Sequence, residues 1–457
     1  MLIRITVENF KSFDDSTEFS MVSSSKIQKK PNHVTRANGA KLLRFAALYG
    51  ANAAGKTNLV DALRFMQQTL RVGMPLSAGK QYCRCSKANQ TRETSFELQF
   101  SVGDDVFAYG LSAVLSKRIL TEEWLYKLGQ KKAKCIFLRK AGEKGGISTS
   151  LSLRREDANR FRTYSVDFER NETSLFLTEM NRSKQFDKSS PLCHFKTAYE
   201  WLTQRLVIMA PMEAFPNVDY SFREDMLNEV SDLVHSFDTG IDEVTVREVS
   251  QEELSDKVPR EVLTQIREDV RSAFNAGDVT KVEGSIRGNG NLFSVRFSPD
   301  GTFVALEIQL RHQGTESIFS YGEESDGTQR LLDILNVLLE TRNDVTFVMD
   351  ELERSLHPML VRRFLELFEA RAVGIRSQLI FSTHESSIMD QSLFRRDEVW
   401  FLDRSQFGVS RIYSLDRFKE RYDKDIAKAY LEGRYGAIPL FSNAFLTEGG
   451  ESDGTDS

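Results

Sequence analysis

No apolar run in the chain approaches the roughly 20 residues that span a bilayer, so no stretch reads as a transmembrane helix. Cysteine is scarce: Cys83, Cys85, Cys135 and Cys193 are the only four in 457 residues, and they make no disulfide framework at this length. Cys83 and Cys85 enclose a single residue and Cys193-His194 lies far downstream. C-x-C is not the C-x₂₋₄-C spacing of a zinc site, and ordinary thiols are expected. An excess of one charge is also missing. With 61 basic and 66 acidic residues the net charge is −5, which excludes wholesale nucleic-acid coating but allows a local basic face. There are no sustained a/d heptads and no internal repeats, so neither a long coiled coil nor a solenoid is expected. The opening MLIRITVENF reads as a charged strand rather than a secretion signal. Together with a mean hydropathy of −0.38, these absences predict a cytoplasmic globular protein of one or two domains with no membrane partner.

What is present divides the chain. LIRITVENF, STEFSMV and LLRFAALYG read as strands, and a helix is predicted from Lys56 to about Arg71. TSFELQFSV, VFAYGLSAVL and ILTEEWLYKL read as successive antiparallel strands. Residues 185–276 are charged and helical in texture, the pattern of an insertion or arm. Beyond Ser325, helices alternate with apolar strands of about five residues, which predicts an α/β fold with a largely parallel sheet.

GANAAGKTN, Gly50 to Asn58, satisfies G-x-x-x-x-G-K-[ST] in full, between the apolar strand FAALY and the predicted helix. In such a loop the backbone N–H groups of Gly50, Ala51, Asn52, Ala53, Ala54, Gly55 and their neighbours close around phosphates, and the helix N-terminus adds its dipole. Lys56 reaches the β- and γ-phosphates of ATP and the Thr57 hydroxyl binds Mg²⁺. Hydrolysis needs a carboxylate on the metal and a base beside the attacking water. VTFVMDELERSLHP supplies both at a strand end, Asp350 for Mg²⁺ and Glu351 for the water. A second apolar strand, SQLIFS, ends at Thr383-His384, where an imidazole can donate to a γ-phosphate.

The peptide ESDGT occurs twice. From Glu324 it opens an apolar helical pattern, with Ser325 or Asp326 as N-cap. From Glu451 it follows two glycines and runs into an acidic terminus with no apolar partners, as a frayed tail does.

The four stretches GANAAGKTN, ESDGTQR, VMDELERSLHP and STHES, in this order, resemble the Walker A loop, signature, Walker B strand with D-loop, and H-loop of ABC-type ATPases of the RecF, SMC and OLD group. YLEGRYGAIP, Tyr430 to Pro439, is similar to the ending of stand-alone bacterial members. The resemblance implies an ABC-type P-loop ATPase head with an antiparallel β-lobe and an inserted helical arm. It divides the chain into 1–184 (Walker A and β-lobe), 185–276 (helical arm), 277–440 (signature, Walker B and H-loop) and 441–457 (flexible acidic tail). It also implies that Ser325 and Gly327 of one chain bind ATP held by another, giving a homo-oligomer built from ATP-bridged dimers. The glutamine that such families place near the metal has three candidates here, Gln81, Gln90 and Gln99. No TOPRIM pattern follows His384, and Asp423-Lys424-Asp425 reads as a solvated face. The chain thus resembles stand-alone ATPase subunits of bacterial anti-phage systems, whose partner is often a TOPRIM nuclease encoded nearby.

Three basic stretches remain: Lys26 to Arg44 and Ala62 to Arg92, both free of acids, and Lys131, Lys132, Lys134, Arg139 and Lys140. They suit a DNA-facing groove, a surface for an acidic trigger such as a phage-encoded DNA mimic, or plain solvated faces. Two functional readings follow: an ATPase controlling a defence effector, or a RecF-like ATPase that closes on duplex DNA. A P-loop small-molecule kinase fits less well, because a kinase needs no water-activating Glu351.

Overall fold

Strands buried at every position form the centre of the molecule, as a sheet covered on both faces requires: Phe45–Tyr49, Val345–Met349 and Ser377–Ser382 expose nothing. The computed structural model describes residues 1–129, 132–182, 184–210, 222–275, 282–288, 290–298, 303–340, 342–372, 374–419 and 425–438. Its central sheet runs in the order Leu206–Met209, Val345–Met349, Ser377–Ser382, Phe45–Tyr49, Val399–Arg404, Ser410–Ser414. The first five strands are mutually parallel and the last is antiparallel. Strands separated by some three hundred residues of sequence therefore end side by side on one edge.

A seven-stranded antiparallel lobe is built from residues 2–148, with Leu2–Glu8 and Thr94–Val102 among its strands. Thr94–Val102 alternates buried and half-buried residues, the mark of a sheet with one covered face. The helix Lys56–Val72 lies between this lobe and the central sheet. Phe65 on that helix packs on Phe10 at 5.6 Å and stacks on Phe96 at 5.2 Å.

The inserted stretch is helical over Leu227–His235, Gln251–Lys257 and Arg260–Asn275, as its charge pattern predicts. It is not helical throughout, however. Leu206–Met209 is an edge strand of the central sheet, and Ile241–Val249 pairs with Phe303–His312 in a further antiparallel sheet. Both differences have one cause: strand pairing here joins segments far apart in sequence, which local periodicity does not register. This lobe has its own small core, including Val249, Leu254, Phe293 and Val295. Tyr430 and Tyr435 of the YLEGRYGAIP stretch stack on Phe401 of the central sheet. The expected tail, 441–457, and Asp423 lie outside the described residues, while Asp425 caps the helix Ile426–Leu431.

One buried amide ties the lobe to the sheet. Gln378 accepts from the Leu2 N–H at 2.7 Å and donates to the carbonyls of Leu2 and Leu43 at 3.0 and 2.9 Å. Its removal strands backbone groups in a dry interface, where each costs about 1–3 kcal/mol. Gln378→Ala is expected to destabilise the chain by about 2–4 kcal/mol, read from the shift of the denaturant midpoint; an unshifted midpoint would show that other groups hold the junction.

Candidate functional site

The C-terminal edge of a parallel sheet is where ligands bind in open α/β folds, and three loops meet there. The phosphate loop leaves Phe45–Tyr49, Asp350-Glu351 follows Val345–Met349, and Thr383-His384 follows the strand between them. Asn52, Ala53, Ala54, Gly55, Lys56, Thr57, Asn58, Asp350, Glu351 and His384 all line one cavity of about 670 Å³. Gly50 and Ala51 lie beneath it, their carbonyls accepting from the Lys56 ammonium at 2.7 and 3.3 Å.

The loop conformation explains its residue types. Gly55 sits at φ 111°, where a side chain is strained, and a Cβ there would come within 2.5 Å of the Ser410 Oγ. Ser410 donates to the Ala54 carbonyl at 2.6 Å, and Asn58 donates to the Ser12 hydroxyl, itself 2.7 Å from Ser410. The loop is thus clamped from two distant segments before any ligand is considered.

Lys56 is only 6% exposed. Burial lowers its pKa to about 8, against the opposing pull of Asp350, Glu353 and Glu351. Asp350, 3% exposed, accepts from the Ser382 hydroxyl, which in turn accepts from the Glu351 N–H at 2.9 Å. Glu351 adopts φ 51°, uncommon for a residue with a Cβ, as the chain turns off the strand. The imidazole of His384 is shifted toward its neutral form, chiefly by burial and then by the nearby Lys56 ammonium. A neutral ring keeps one N–H donor.

Among the described residues, no group of three or more His, Cys, Asp or Glu could hold a metal by itself. Mg²⁺ does not need one, because it is held through one or two carboxylates together with phosphates and waters. Thr57 and Asp350, which line the same cavity, fit that demand. Held there, Mg²⁺ would supply positive charge against phosphate, and Glu351, on the same cavity, would be the group placed to act on a water.

Ser325 and Gly327 do not line this cavity. Ser325 caps the helix Asp326–Leu339, accepting from the Thr328 N–H at 3.2 Å. A Cβ on Gly327 would come within 2.8 Å of the Ser355 carbonyl, so this helix start packs tightly on the segment that follows Asp350-Glu351. Residues unmarked by any motif also line the cavity: Lys11, Ser12, Lys80, Tyr82, Arg84 and Arg404. Lys80 and Arg84 belong to an acid-free stretch, the one signal pointing to them. The Lys11 N–H bonds to the Gln81 carbonyl at 2.7 Å and joins that stretch to the loop. None of the three candidate glutamines lines the cavity: Gln99 donates to Glu97 in the lobe, and Gln81 to Ser77. Cys83 and Cys85 are free thiols, and Cys193 and His194 line a different cavity.

A full phosphate-loop motif with Asp350, Glu351 and His384 lining the same cavity at one sheet edge is the arrangement of a P-loop ATPase. Residues 45–390 match the family described as "AAA domain, putative AbiEii toxin, Type IV TA system", and the chain belongs to that family. No curated protein matches it. Solved structures similar to it include the Smc head bound to the C-winged helix domain of ScpA, at 13% identity and TM-score 0.41 over 90% of this chain and 97% of that one. The SMC head domain from Thermotoga maritima is similar at 13% identity and TM-score 0.38, over 90% and 98%. An Smc head with an extended coiled coil, bound to a ScpA domain derived from Pyrococcus furiosus, gives 12% and 0.38, over 95% and 99%. Among the described residues, no helix is long and apolar enough to cross a membrane.

Two outcomes are expected. Glu351→Gln binds ATP but turns it over about 10²–10⁴-fold more slowly; steady-state hydrolysis at wild-type rate would give the water to another base. A phosphate anion beside Lys56 raises its pKa, so above pH about 8 ATP binding takes up a proton and weakens as pH rises. Calorimetry in buffers of different ionisation enthalpy reads this uptake, which Lys56→Ala removes along with most of the affinity; uptake that persists would belong to a different group.

Proposed function

We propose that the chain is an ABC-type ATPase subunit of a bacterial anti-phage defence complex. In this reading ATP closes a homo-oligomer through composite sites, and hydrolysis controls a separately encoded effector, a TOPRIM nuclease. The individual protein this reading points to is AriA, the ATPase subunit of the PARIS system. One observation carries the reading: Lys56, Thr57, Asp350, Glu351 and His384 line one cavity, while Ser325 and Gly327 lie outside it. A helix N-terminus of that kind stabilises phosphate charge, and a second chain can bring it to the first chain's ATP. The family's description as a toxin of a Type IV TA system is in keeping with a chain that works with a separate partner.

The RecF-like alternative needs a free basic groove. Many of the cations that suggested one are used internally. Arg44 donates to the carbonyls of Ala372 and Ile375, Arg71 to Thr203, and Arg92 pairs with Asp14. Arg139 is buried against Glu123, and Lys80 and Arg84 face the ATP cavity. These uses favour the effector-controlling reading over one that depends on duplex DNA.

The test is complementation. Ser325→Arg removes the cap and fills the helix start; Lys56→Ala removes the phosphate ammonium. Each is expected to be inactive alone. In a mixed pair one site carries both defects and the other neither, so mixing restores part of the ATPase rate. Hydrolysis measured across a mixing series, with assembly followed by light scattering, decides it. Mixed oligomers that never exceed the sum of the two mutants would sink the composite-site reading.

A further inference from the structure

The outer strands of the antiparallel lobe and the turn at 187–193 line a further, half-open cavity of about 420 Å³. Lys127 and Lys134 enter it from neighbouring strands, Lys132 from the end of their hairpin, and Lys188 from the turn. Among the described residues, none of those that line it is acidic. Around it Asp105 pairs with Lys127 at 2.8 Å, Asp157 accepts from Ser190 at 2.8 Å, and Asp187 accepts from the Ser189 N–H at 2.7 Å. Among the described residues, Lys132, Lys134 and Lys188 therefore form no ion pair. Lys132, Lys134 and Lys188 are exposed at the mouth of this concavity, and an anion seated among them would relieve the repulsion of like charges gathered there. Ser150 and Ser152 add hydroxyls, and Leu151 and Pro191 supply apolar wall. Lysine is a point-charge phosphate binder, and the volume lies within the ~300–1,000 Å³ of small-molecule pockets.

We infer that this cavity is a second phosphate-binding site, taking the phosphate groups of a phosphorylated small molecule or of a nucleic-acid 5′ end. It shares no lining residue with the ATP cavity, so the inference stands apart from the function proposed above.

The experiment uses the full chain with Lys56→Ala, which silences the ATP site. Tripolyphosphate is titrated by calorimetry, alongside a short oligodeoxynucleotide with and without a 5′-phosphate. One tripolyphosphate per chain is expected, weakened about ten- to hundredfold by Lys134→Gln with Lys188→Gln. The same two substitutions in a chain with Lys56 intact leave the ATPase rate unchanged. A second readout is His194, which lines the cavity and is held toward its neutral form by burial and by Lys127 and Lys134. The ligand should raise its pKa, followed by NMR in a chain with only six histidines. Preference for tripolyphosphate identifies the small-molecule source, and a gain from the 5′-phosphate identifies the strand end. Absence of binding, binding indifferent to the lysines, or oligonucleotide binding alone and indifferent to its 5′-phosphate would each overturn the inference.

Discussion

The parallel register of three neighbouring strands is the constraint on which the rest depends. Met349 lies beside Phe381, and Phe381 beside Ala47, so the chain leaves all three strands at one level. A slip by one residue would turn every side chain of a strand to the other face. Asp350 would then lose the Ser382 hydroxyl that orients it. The burial of all three strands makes such a slip costly, since both faces are already filled.

The electrostatics follow from that register. A buried ammonium, two carboxylates and an imidazole share one cavity. Lys56 is weakened as a base by burial, and its charge helps hold His384 neutral. The site is thus arranged for a polyanion with its metal.

The sheet that holds Phe303–His312 also holds the segment before Ser325. His312 pairs with Glu324 at 2.6 Å, and Ile318–Ser320 adds a strand beside Phe303–His312. Gly322 donates to Asn291 of the same lobe at 3.3 Å. The start of the helix Asp326–Leu339 is therefore gripped by this lobe on one side and by Ser355 on the other.

Local chemistry was legible in the residues alone. The phosphate loop, its flanking strand and helix, Asp350-Glu351, His384 and the capping role of Ser325 all follow from short patterns whose physics acts within a few residues. The sequence alone also marked the ATPase class through them. What only the tertiary structure decided are the long-range pairings. Leu206–Met209 is too short to announce itself as a strand until Val345–Met349 offers its backbone groups. Arg139 reads as a surface cation until Glu123 is brought against it in a dry interior. Lys127, Lys134 and Lys188 are unrelated letters until folding sets them around one cavity. Residues far apart in a chain meet because burial and strand pairing bring them together, and neither is written in local periodicity.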